Sequence, residues 1–411
     1  MNRRRPVIGA GLIDSPGAAA TDAGVNPKGS SVVQALRKRE RGFLMRRQHA
    51  VMALVALTAI TFASAPPASA GSRARPFSGA FRAPTVAHYA VQPQEEEFYG
   101  EEFELIGWDE AGNELSMNIV ISNLGFGDNS AVVKAKWSPK GGKSAKGSKK
   151  FDEDDWSHSK RPFRIHLGAN SLSGGPSKLV AVAKFGAVEM KLTFENLLPA
   201  WRPGNGRAYY GSRNLFYDLT IMAPRAKVTG TIKAGGKTHQ FDGQGYADHR
   251  VSNVAPHVAG RRWVRFRSFE GDWTFILQEL HFPRNLGGAR STFLLVGYKD
   301  RIVFQTLRYK MRLGDVHRDR NKDTPYSYPG KMEITAKAGD RTLRATITGK
   351  LRRRADLLDG IGRMKRSILI RFARPVGYYL DGSYSLEVSR GEAEKWTASG
   401  AGSYYVKQVT R

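Results

Sequence analysis

Polar and apolar residues alternate along most of the chain beyond residue 98. Residues 189–195 alternate without a break, and residues 273–282 do much the same, with Phe275, Leu277 and His281 on one side. Successive side chains of a strand point to opposite faces, so this period of two predicts strands with one buried face. Similar runs occupy residues 115–124, 132–137, 163–167, 179–185, 187–197, 226–233, 239–246, 262–269, 292–298, 302–309, 331–336, 343–350, 378–388 and 394–408.

Turn signals separate these runs and favour antiparallel hairpins. Glycines mark such turns at residues 234–236, 270–272 and 390–391. Many short antiparallel strands are typical of barrels or sandwiches, and each half of the chain is about the size of one barrel. One amphipathic helix is predicted, at residues 352–371, where apolar residues are spaced for one helix face among arginines.

An export signal precedes the strands. Residues 45–70 contain Arg46 and Arg47, an apolar run from 50 to 63, and an Ala-Ser-Ala site ending at Ala70. This order is typical of a secretory signal peptide, and the run is shorter than the roughly 20 residues of a spanning helix. An uncleaved anchor or a buried helix is the alternative.

The segments on either side of the signal are interpreted as unstructured. Residues 1–44 are rich in Gly, Ala and Arg, and we interpret them as an upstream extension, either disordered or preceding the true start at Met45. Residues 71–97 are rich in Pro, Ala and Ser, which predicts a flexible leader. We therefore expect an exported protein, either periplasmic or extracellular.

The composition narrows the possible functions. The 411 residues include no cysteine, which excludes a disulfide framework, a thiolate metal site and a cysteine nucleophile. With 41% hydrophobic residues, the chain can bury sizeable cores. Its net charge of +28 favours an anionic partner, although solubility alone explains such a charge equally well. Export makes nucleic acid an unexpected partner, so we expect peripheral contact with an anionic membrane instead.

The most specific motifs lie where the two halves join. They are Pro224-Arg225 followed by Val228 and Gly230-Thr231-Ile232, then Gly243, Gly245-Tyr246, Asp248-His249, and then Pro256-His257 and Arg261-Arg262-Trp263. Their order resembles the survival-factor family of two-lipocalin proteins, which is related to the bacterial carotenoid hydratases, also called hydroxyneurosporene synthases. Upstream, residues 207–211 look like the tyrosine-rich strand that closes that family's first barrel. The resemblance covers most of residues 98–411.

The resemblance implies an all-β fold of two consecutive lipocalin-like antiparallel barrels, residues 98–222 and 223–411, with few short helices. A closed barrel of about eight strands has no free edges and leaves room for one small ligand. The implied ligand is a lipid or isoprenoid, and the implied function is that of a carrier or sequestering protein. The ligand-binding residues predicted on this basis are Tyr209, Tyr210, Tyr246, Asn253, His257, Trp263, Phe266 and Phe275. The alternative is that the apolar residues fill a packed core.

Asp248 and His249 support a second hypothesis, a hydratase or lyase acting on an unsaturated lipid or carotenoid. Hydrating a double bond needs a proton donor and a group that activates water. Neighbours on a regular strand point apart, so the pair could share this work only where the backbone bends. The hydratase motif looks like G-Y-x-D-H-x-W-G, and here Val251 replaces its tryptophan. The alternative role is a hydrogen-bonded plug between the barrels, formed by Asp248, His249, Ser252, Asn253 and His257. We predict neither a metal nor a cofactor.

Overall fold

The molecule is built almost entirely from antiparallel strands. The computed structural model describes residues 73–123, 128–255, 258–321, 324, 326–359, 366, 367, 370, 373–392 and 394–409. Short 3₁₀ turns occupy Val86–His88, Glu153–Asp155 and Arg284–Leu286. Within the described residues, no helix has the length and apolar character needed to cross a membrane.

The first sheet contains twelve strands. They are β1 (Gly100–Trp108), β2 (Glu114–Ser122), β3 (Ser130–Ser138), β4 (Ala145–Phe151), β5 (Trp156–Lys160), β6 (Phe163–Leu167), β7 (Asn170–Gly174), β8 (Lys178–Phe185), β9 (Val188–Asn196), β10 (Arg207–Tyr210), β11 (Ser212–Ala234) and β12 (Lys237–Ser252). Their order is β4-β3-β2-β1-β12-β11-β9-β8-β7-β6-β5, and β10 pairs with β11.

The second sheet contains nine strands. They are β13 (Arg262–Ser268), β14 (Trp273–His281), β15 (Arg290–Tyr298), β16 (Arg301–Thr306), β17 (Tyr309–Arg318), β18 (Ser327–Ala338), β19 (Arg341–Asp356), β20 (Val376–Arg390) and β21 (Glu394–Gln408). Their order is β16-β15-β14-β13-β21-β20-β19-β18-β17.

Each sheet curls into a barrel. The edge strands of the first sheet, β4 and β5, follow one another in the chain, and so do β16 and β17 of the second. The curl brings distant strands together: the Trp156 indole donates to the carbonyl of Asn129, and Arg341 donates to the carbonyl of Val303. Two barrel-like sheets confirm the predicted all-β fold with two lipocalin-like barrels.

The apolar side chains form three cores. One lies inside the first barrel and includes Phe103, Phe163 and Phe194. The second lies inside the second barrel around Phe266 and Phe275. The third packs between outer faces of the two sheets and includes Trp201, Tyr246 and Phe293. Because side chains alternate in direction along a strand, the strands facing the other barrel are buried on both sides.

The junction between the barrels falls later than residues 222/223, where it was predicted. β11 runs from Ser212 to Ala234 without leaving the first sheet, and β12 completes that sheet by pairing with β1. The second sheet starts at β13. Pro224 lies near the predicted boundary, but the register shift between Ala223 and Ala226 accommodates it as a bulge within β11.

The N-terminal segment, residues 73–97, is packed against the barrels, in contrast to the flexible leader predicted for residues 71–97. Phe77, Tyr89 and Val91 are buried. The Tyr89 hydroxyl donates to the carbonyl of Met222 over 3.1 Å, and the backbone of Arg75 pairs with Tyr209. Composition suggested a linker, but a few well-spaced apolar side chains are enough to anchor such a segment.

The predicted helix at residues 352–371 is wrong in its first part. β19 continues as a strand to Asp356, pairing with β20 throughout apart from a register shift between Leu351 and Arg353. Most of the remaining segment, like residues 1–70, lies outside the described residues. The apolar spacing at Leu357 and Leu358 was compatible with a helix, but both side chains are buried in a turn.

Candidate functional site

β12 carries the motif residues and lies between β1 and β11. Asp248 and His249 are opposite Glu104 and Phe103 of β1, and both are only 2% exposed. The strand is regular here, so the two side chains point to opposite faces. His249 faces the interior of the first barrel, whereas Asp248 faces the second sheet. The structure therefore does not bring the predicted catalytic pair into one site.

His249 belongs to a polar cluster inside the first barrel. Its Nε2 lies 2.6 Å from Oε1 of Glu101, and its Nδ1 lies 2.8 Å from the carbonyl oxygen of His88. The other carboxylate oxygen of Glu101 accepts the Tyr99 hydroxyl and the Gln92 backbone N–H. The imidazole also stacks on the Phe103 ring with 4.1 Å between centroids. Burial, followed by the charge of Glu101, raises the pKa of Tyr99, so this phenol stays a donor.

These partners determine where protons lie in the cluster. A carbonyl oxygen only accepts, so Nδ1 of His249 must carry a proton. The bond between Nε2 and Glu101 Oε1 needs one further proton, held by either partner. The pair is thus an imidazolium with a carboxylate, or an imidazole with a carboxylic acid. In both forms Glu101 and His249 share one proton inside an apolar barrel.

Asp248 belongs to a different cluster, the inter-sheet ion network, which consists of Glu102, Glu104, Asp248, Arg250, Arg265 and Arg267. Arg267 of the second sheet donates to Asp248 Oδ2 at 2.9 Å and to Glu104 Oε2 at 2.8 Å. Tyr246 donates its hydroxyl to Asp248 at 2.7 Å, and the Arg267 guanidinium lies 4.0 Å from the centre of its ring. The network therefore joins the two barrels, and Asp248 is its only member from the predicted polar plug.

The charges of the network stabilise one another. Burial alone would raise the pKa of Glu104, but Arg267, Arg265 and Arg250 outweigh it and hold that pKa well below its usual value. Burial alone would lower the pKa of Arg267, but Glu104 outweighs it and raises that pKa. Burial also raises the pKa of the Tyr246 hydroxyl. Glu104 and Arg267 therefore keep their charges near neutral pH, which suits a structural link better than proton transfer.

Three more of the predicted ligand residues lie at or near the region between the sheets. Tyr210 is buried and donates its hydroxyl to the carbonyl of Ala259 over 2.6 Å. Trp263 is half-buried beside the Lys407 ammonium, which lies 4.9 Å from its ring. Tyr209 packs partly against the core of the first barrel, under the guanidinium of Arg75. These contacts are those of packing residues.

The other predicted ligand residues are scattered. Phe266 and Phe275 face the interior of the second barrel, but they contact each other and Tyr384 and are completely buried, so they fill that interior. Asn253 holds a turn by accepting the Phe216 N–H. His257 lies outside the described residues. The seven predicted ligand residues that the structure describes do not form one pocket.

A second charged cluster lies towards one end of the interior of the second barrel. Glu279 is fully buried and is contacted by His281, by Arg262 at 3.3 Å and by Arg290 at 3.4 Å. Burial would raise the pKa of Glu279, but these three partners outweigh it and lower that pKa.

Within the described part of the chain, no group of three His, Asp or Glu residues is placed to hold a metal.

An open groove of about 610 Å³ lies on the outer face of the second sheet. It is lined by Asp315, Val316, His317, Gly330, Thr348, Gly349, Lys350, Asp381, Gly382 and Ser383. None of the predicted ligand residues lines it. Its floor crosses three adjacent strands at glycines, where the sheet bends over Leu380 and Tyr404.

Glu101, the partner of His249, and Arg267, which bridges the two sheets, were not among the residues predicted from the sequence. The sequence did contain a signal for Glu101. Phe103 and Leu105 alternate with Glu102 and Glu104, so the acidic stretch had the period of a strand and Glu101 lay on its apolar face. A carboxylate on the buried face of a strand requires a partner, which pairing with β12 supplies.

The fold and the Glu101–His249 pair define the class of protein: it is a two-barrel, lipocalin-like protein with a polar pair buried in an apolar barrel. The model of the Svf1 family matches residues 110–375. The chain belongs to the Svf1 family, and the resemblance inferred from its motifs is confirmed.

Named relatives share part of the chain. The ceramide-binding protein svf1 of Emericella nidulans is 28% identical over 176 residues, which cover 41% of this chain and 46% of that protein. The Aspergillus fumigatus protein of the same name is 27% identical over 178 residues, covering 41% and 44%. The chain thus spans about half the length of these relatives. The crystal structure of CghA is similar in fold, with a TM-score of 0.51 and 12% identity over 82% of this chain and 98% of that one.

Proposed function

We propose that this protein binds a neutral long-chain lipid of the ceramide class and acts as a carrier or sequestering protein. The relatives named as ceramide-binding support a lipid ligand. The observation that carries the proposal is the buried Glu101–His249 pair inside the apolar core of the first barrel. A ceramide combines apolar chains with hydroxyl and amide groups. The chains match the apolar barrel interior, and the polar groups match the hydrogen-bonding Glu101–His249 pair.

Ligand entry requires movement, because side chains fill the described interior of the first barrel. The N-terminal segment is the element best placed to move. Its Tyr89 ring packs against Phe163 with 6.1 Å between centroids, and the His88 carbonyl is bound by His249. Displacing this segment would free the acyl-sized space that Tyr89 occupies and release a donor of the His249 ring for the lipid.

The hydratase alternative is less well supported. It requires Asp248 and His249 to act on the same substrate, but β12 directs them to opposite faces and Asp248 is enclosed by Tyr246 and Arg267. Binding therefore accounts for the buried pair with fewer assumptions than catalysis.

The test compares two substitutions on the paired strands β1 and β12, one on the face towards the barrel interior and one on the opposite face. Glu101→Gln removes the carboxylate that orients a ligand donor, and we expect ceramide affinity in detergent micelles to fall about tenfold, as for a hydrogen bond to a charged group. Asp248→Asn, outside the barrel interior, should leave the affinity within about twofold. Equal losses in both folded variants, or no ceramide binding by the unmodified protein, would contradict the proposal. Conversion of the bound lipid, seen by mass spectrometry, would favour the hydratase.

Export and contact with an anionic membrane are further parts of the proposal. The signal-like residues 45–70 support export to a periplasm or the cell exterior. The net charge of +28 supports attraction to anionic lipid. A carrier must meet a membrane to load or release its lipid.

A further inference from the structure

We propose that an aromatic and cationic ladder on the outer face of the second barrel docks the protein on an anionic membrane surface. The ladder runs from Arg265, a member of the inter-sheet ion network, through Tyr405 and Tyr379 to the exposed Arg353. This inference deepens the proposed function, because it names the surface through which a lipid carrier would reach its membrane.

The ladder crosses four neighbouring strands in register. Arg265 of β13 is opposite Tyr405 of β21, Tyr405 is opposite Tyr379 of β20, and Tyr379 is opposite Arg353 of β19. The two rings lie 4.7 Å apart, and the Arg353 guanidinium lies 4.2 Å from the Tyr379 ring. The Arg265 guanidinium lies 5.9 Å from the Tyr405 ring. Directly opposed side chains on adjacent strands form one continuous strip.

The strip faces outwards. The chain neighbours Tyr378, Tyr404 and Phe266 are buried in the core of the second barrel, so the alternating ladder residues point away from it. Arg353 is exposed, and both tyrosines are half-buried. Gly377 lies beneath the rings, since a Cβ there would come within 3.1 Å of Tyr405. The glycine therefore lets the Tyr405 ring lie flat along the sheet.

The charge around the ladder is unbalanced towards positive. In the part of the chain that the structure describes, Arg353 has no carboxylate within salt-bridge distance. Arg265 shares Glu104 with Arg267, and Arg352, next to Arg353, pairs loosely with Asp381 at 3.5 Å. Leu351 is 38% exposed beside them at the register shift of β19.

This combination fits a membrane interface. Tyrosine and tryptophan prefer the boundary between headgroups and acyl chains, because one end of each ring system is apolar and the other polar. Arginine and lysine bring their apolar stems to the same depth while their charges meet lipid phosphates. Each basic residue near an anionic surface contributes about fivefold in affinity. The Tyr379 and Tyr405 rings contact each other at 4.7 Å and leave no room for a base between them, which favours lipid over nucleic acid.

The test compares two arginines of one strand in the full chain. Arg353→Glu alters the ladder, and Arg344→Glu makes the same charge change at an exposed position of β19 roughly 30 Å away by strand rise. Binding is measured by sedimentation with vesicles of phosphatidylcholine containing phosphatidylserine, and with phosphatidylcholine alone. We expect Arg353→Glu to weaken binding to the anionic vesicles more than tenfold and Arg344→Glu to weaken it less than threefold.

A second variant separates the aromatic from the ionic contribution. Tyr379→Ser should cause a smaller loss that persists at high salt, whereas the loss from Arg353→Glu should shrink as salt screens the charge. Equal losses in the two arginine variants would overturn the inference, because net charge alone would then explain binding. Failure of the unmodified protein to bind anionic vesicles would overturn it too, as would loss of binding to a single-stranded RNA without any effect on vesicles.

Ceramide binding in detergent keeps the two proposals apart. The ladder variants should retain it, since Tyr379 and Arg353 lie outside both barrels. If the unmodified protein binds anionic vesicles through the ladder but no ceramide, the docking surface is supported and the proposed ligand fails. If it binds ceramide but the ladder variants bind vesicles normally, the docking surface fails and the ligand stands.

Discussion

At the scale of single residues, buried charge is the main feature that periodicity did not reveal. Glu104 lies between three arginines, Arg250, Arg265 and Arg267, at 2.8–3.5 Å. A charge removed from water is tolerated only with close partners, and removing one partner leaves the others uncompensated. Glu104 is therefore the centre of the inter-sheet ion network, whereas the predicted catalytic Asp248 is one of its members.

Replacing Glu104 by Gln should destabilise the protein by about 3–5 kcal/mol at neutral pH, because Arg265 and Arg267 lose their shared carboxylate. Chemical denaturation monitored by tryptophan fluorescence measures the change. Glu195→Gln is the matched control, because Glu195 pairs with Lys178 at the exposed surface and should contribute less than about 1 kcal/mol.

The same variant gives a pH signature. The pKa of Glu104 is lowered in the folded protein, so its contribution is fully present above the ordinary glutamate pKa and is lost as pH falls through the lower folded value. The stability difference between the wild type and Glu104→Gln should therefore shrink as the pH falls below about 4.5. A difference that stays constant down to acid denaturation would contradict this role.

At the scale of elements, local alternation predicted the positions of the strands, but it did not predict the features that depend on pairing between distant strands. The period of two located strands such as β9 and β14 almost to the residue. The same pattern could not show that β11 passes through Pro224, because the bulge there depends on pairing with β12. Nor could the pattern show that the N-terminal segment is anchored. Its apolar residues are isolated in the sequence, and only their packing against the barrels shows that they are buried.

The N-terminal segment offers a direct test at this scale. Tyr89→Ala should destabilise the protein by about 3–5 kcal/mol, because the ring is completely buried against Phe163. It should also speed ceramide uptake, because the segment is proposed to move aside. Arg82→Ala, at an exposed position of the same segment, should change the stability by less than about 0.5 kcal/mol. If neither substitution changed the stability, the result would support the predicted flexible leader instead.

At the scale of the whole molecule, the inter-sheet network and the third core hold the two barrels together. The link combines apolar packing around Trp201 and Phe293 with the fixed charges near Arg267. The first provides most of the free energy of association, and the second fixes the orientation, because ion pairs need their partners in one geometry. A rigid pair of barrels would present the ladder and the N-terminal segment in a constant relation.

Export is also a property of the whole chain. If the signal is cleaved as proposed, protein recovered from outside the cytoplasm should begin at Gly71, as seen by N-terminal sequencing and intact mass. Ala70→Asp, which places a charge at the cleavage site, should leave an uncleaved form. Recovery of the unprocessed chain from the cytoplasm alone would contradict the export proposal.

The sequence by itself determined the fold class, most strand positions and the family, because these depend on local alternation and on motif order. It also located β12 as the strand of interest. Only the tertiary structure decided which faces of β12 meet which partners: His249 meets Glu101 across 148 residues of chain, and Asp248 meets Arg267 of the other sheet. Contacts of this kind arise from strand pairing and barrel packing, and no local pattern of residues encodes them.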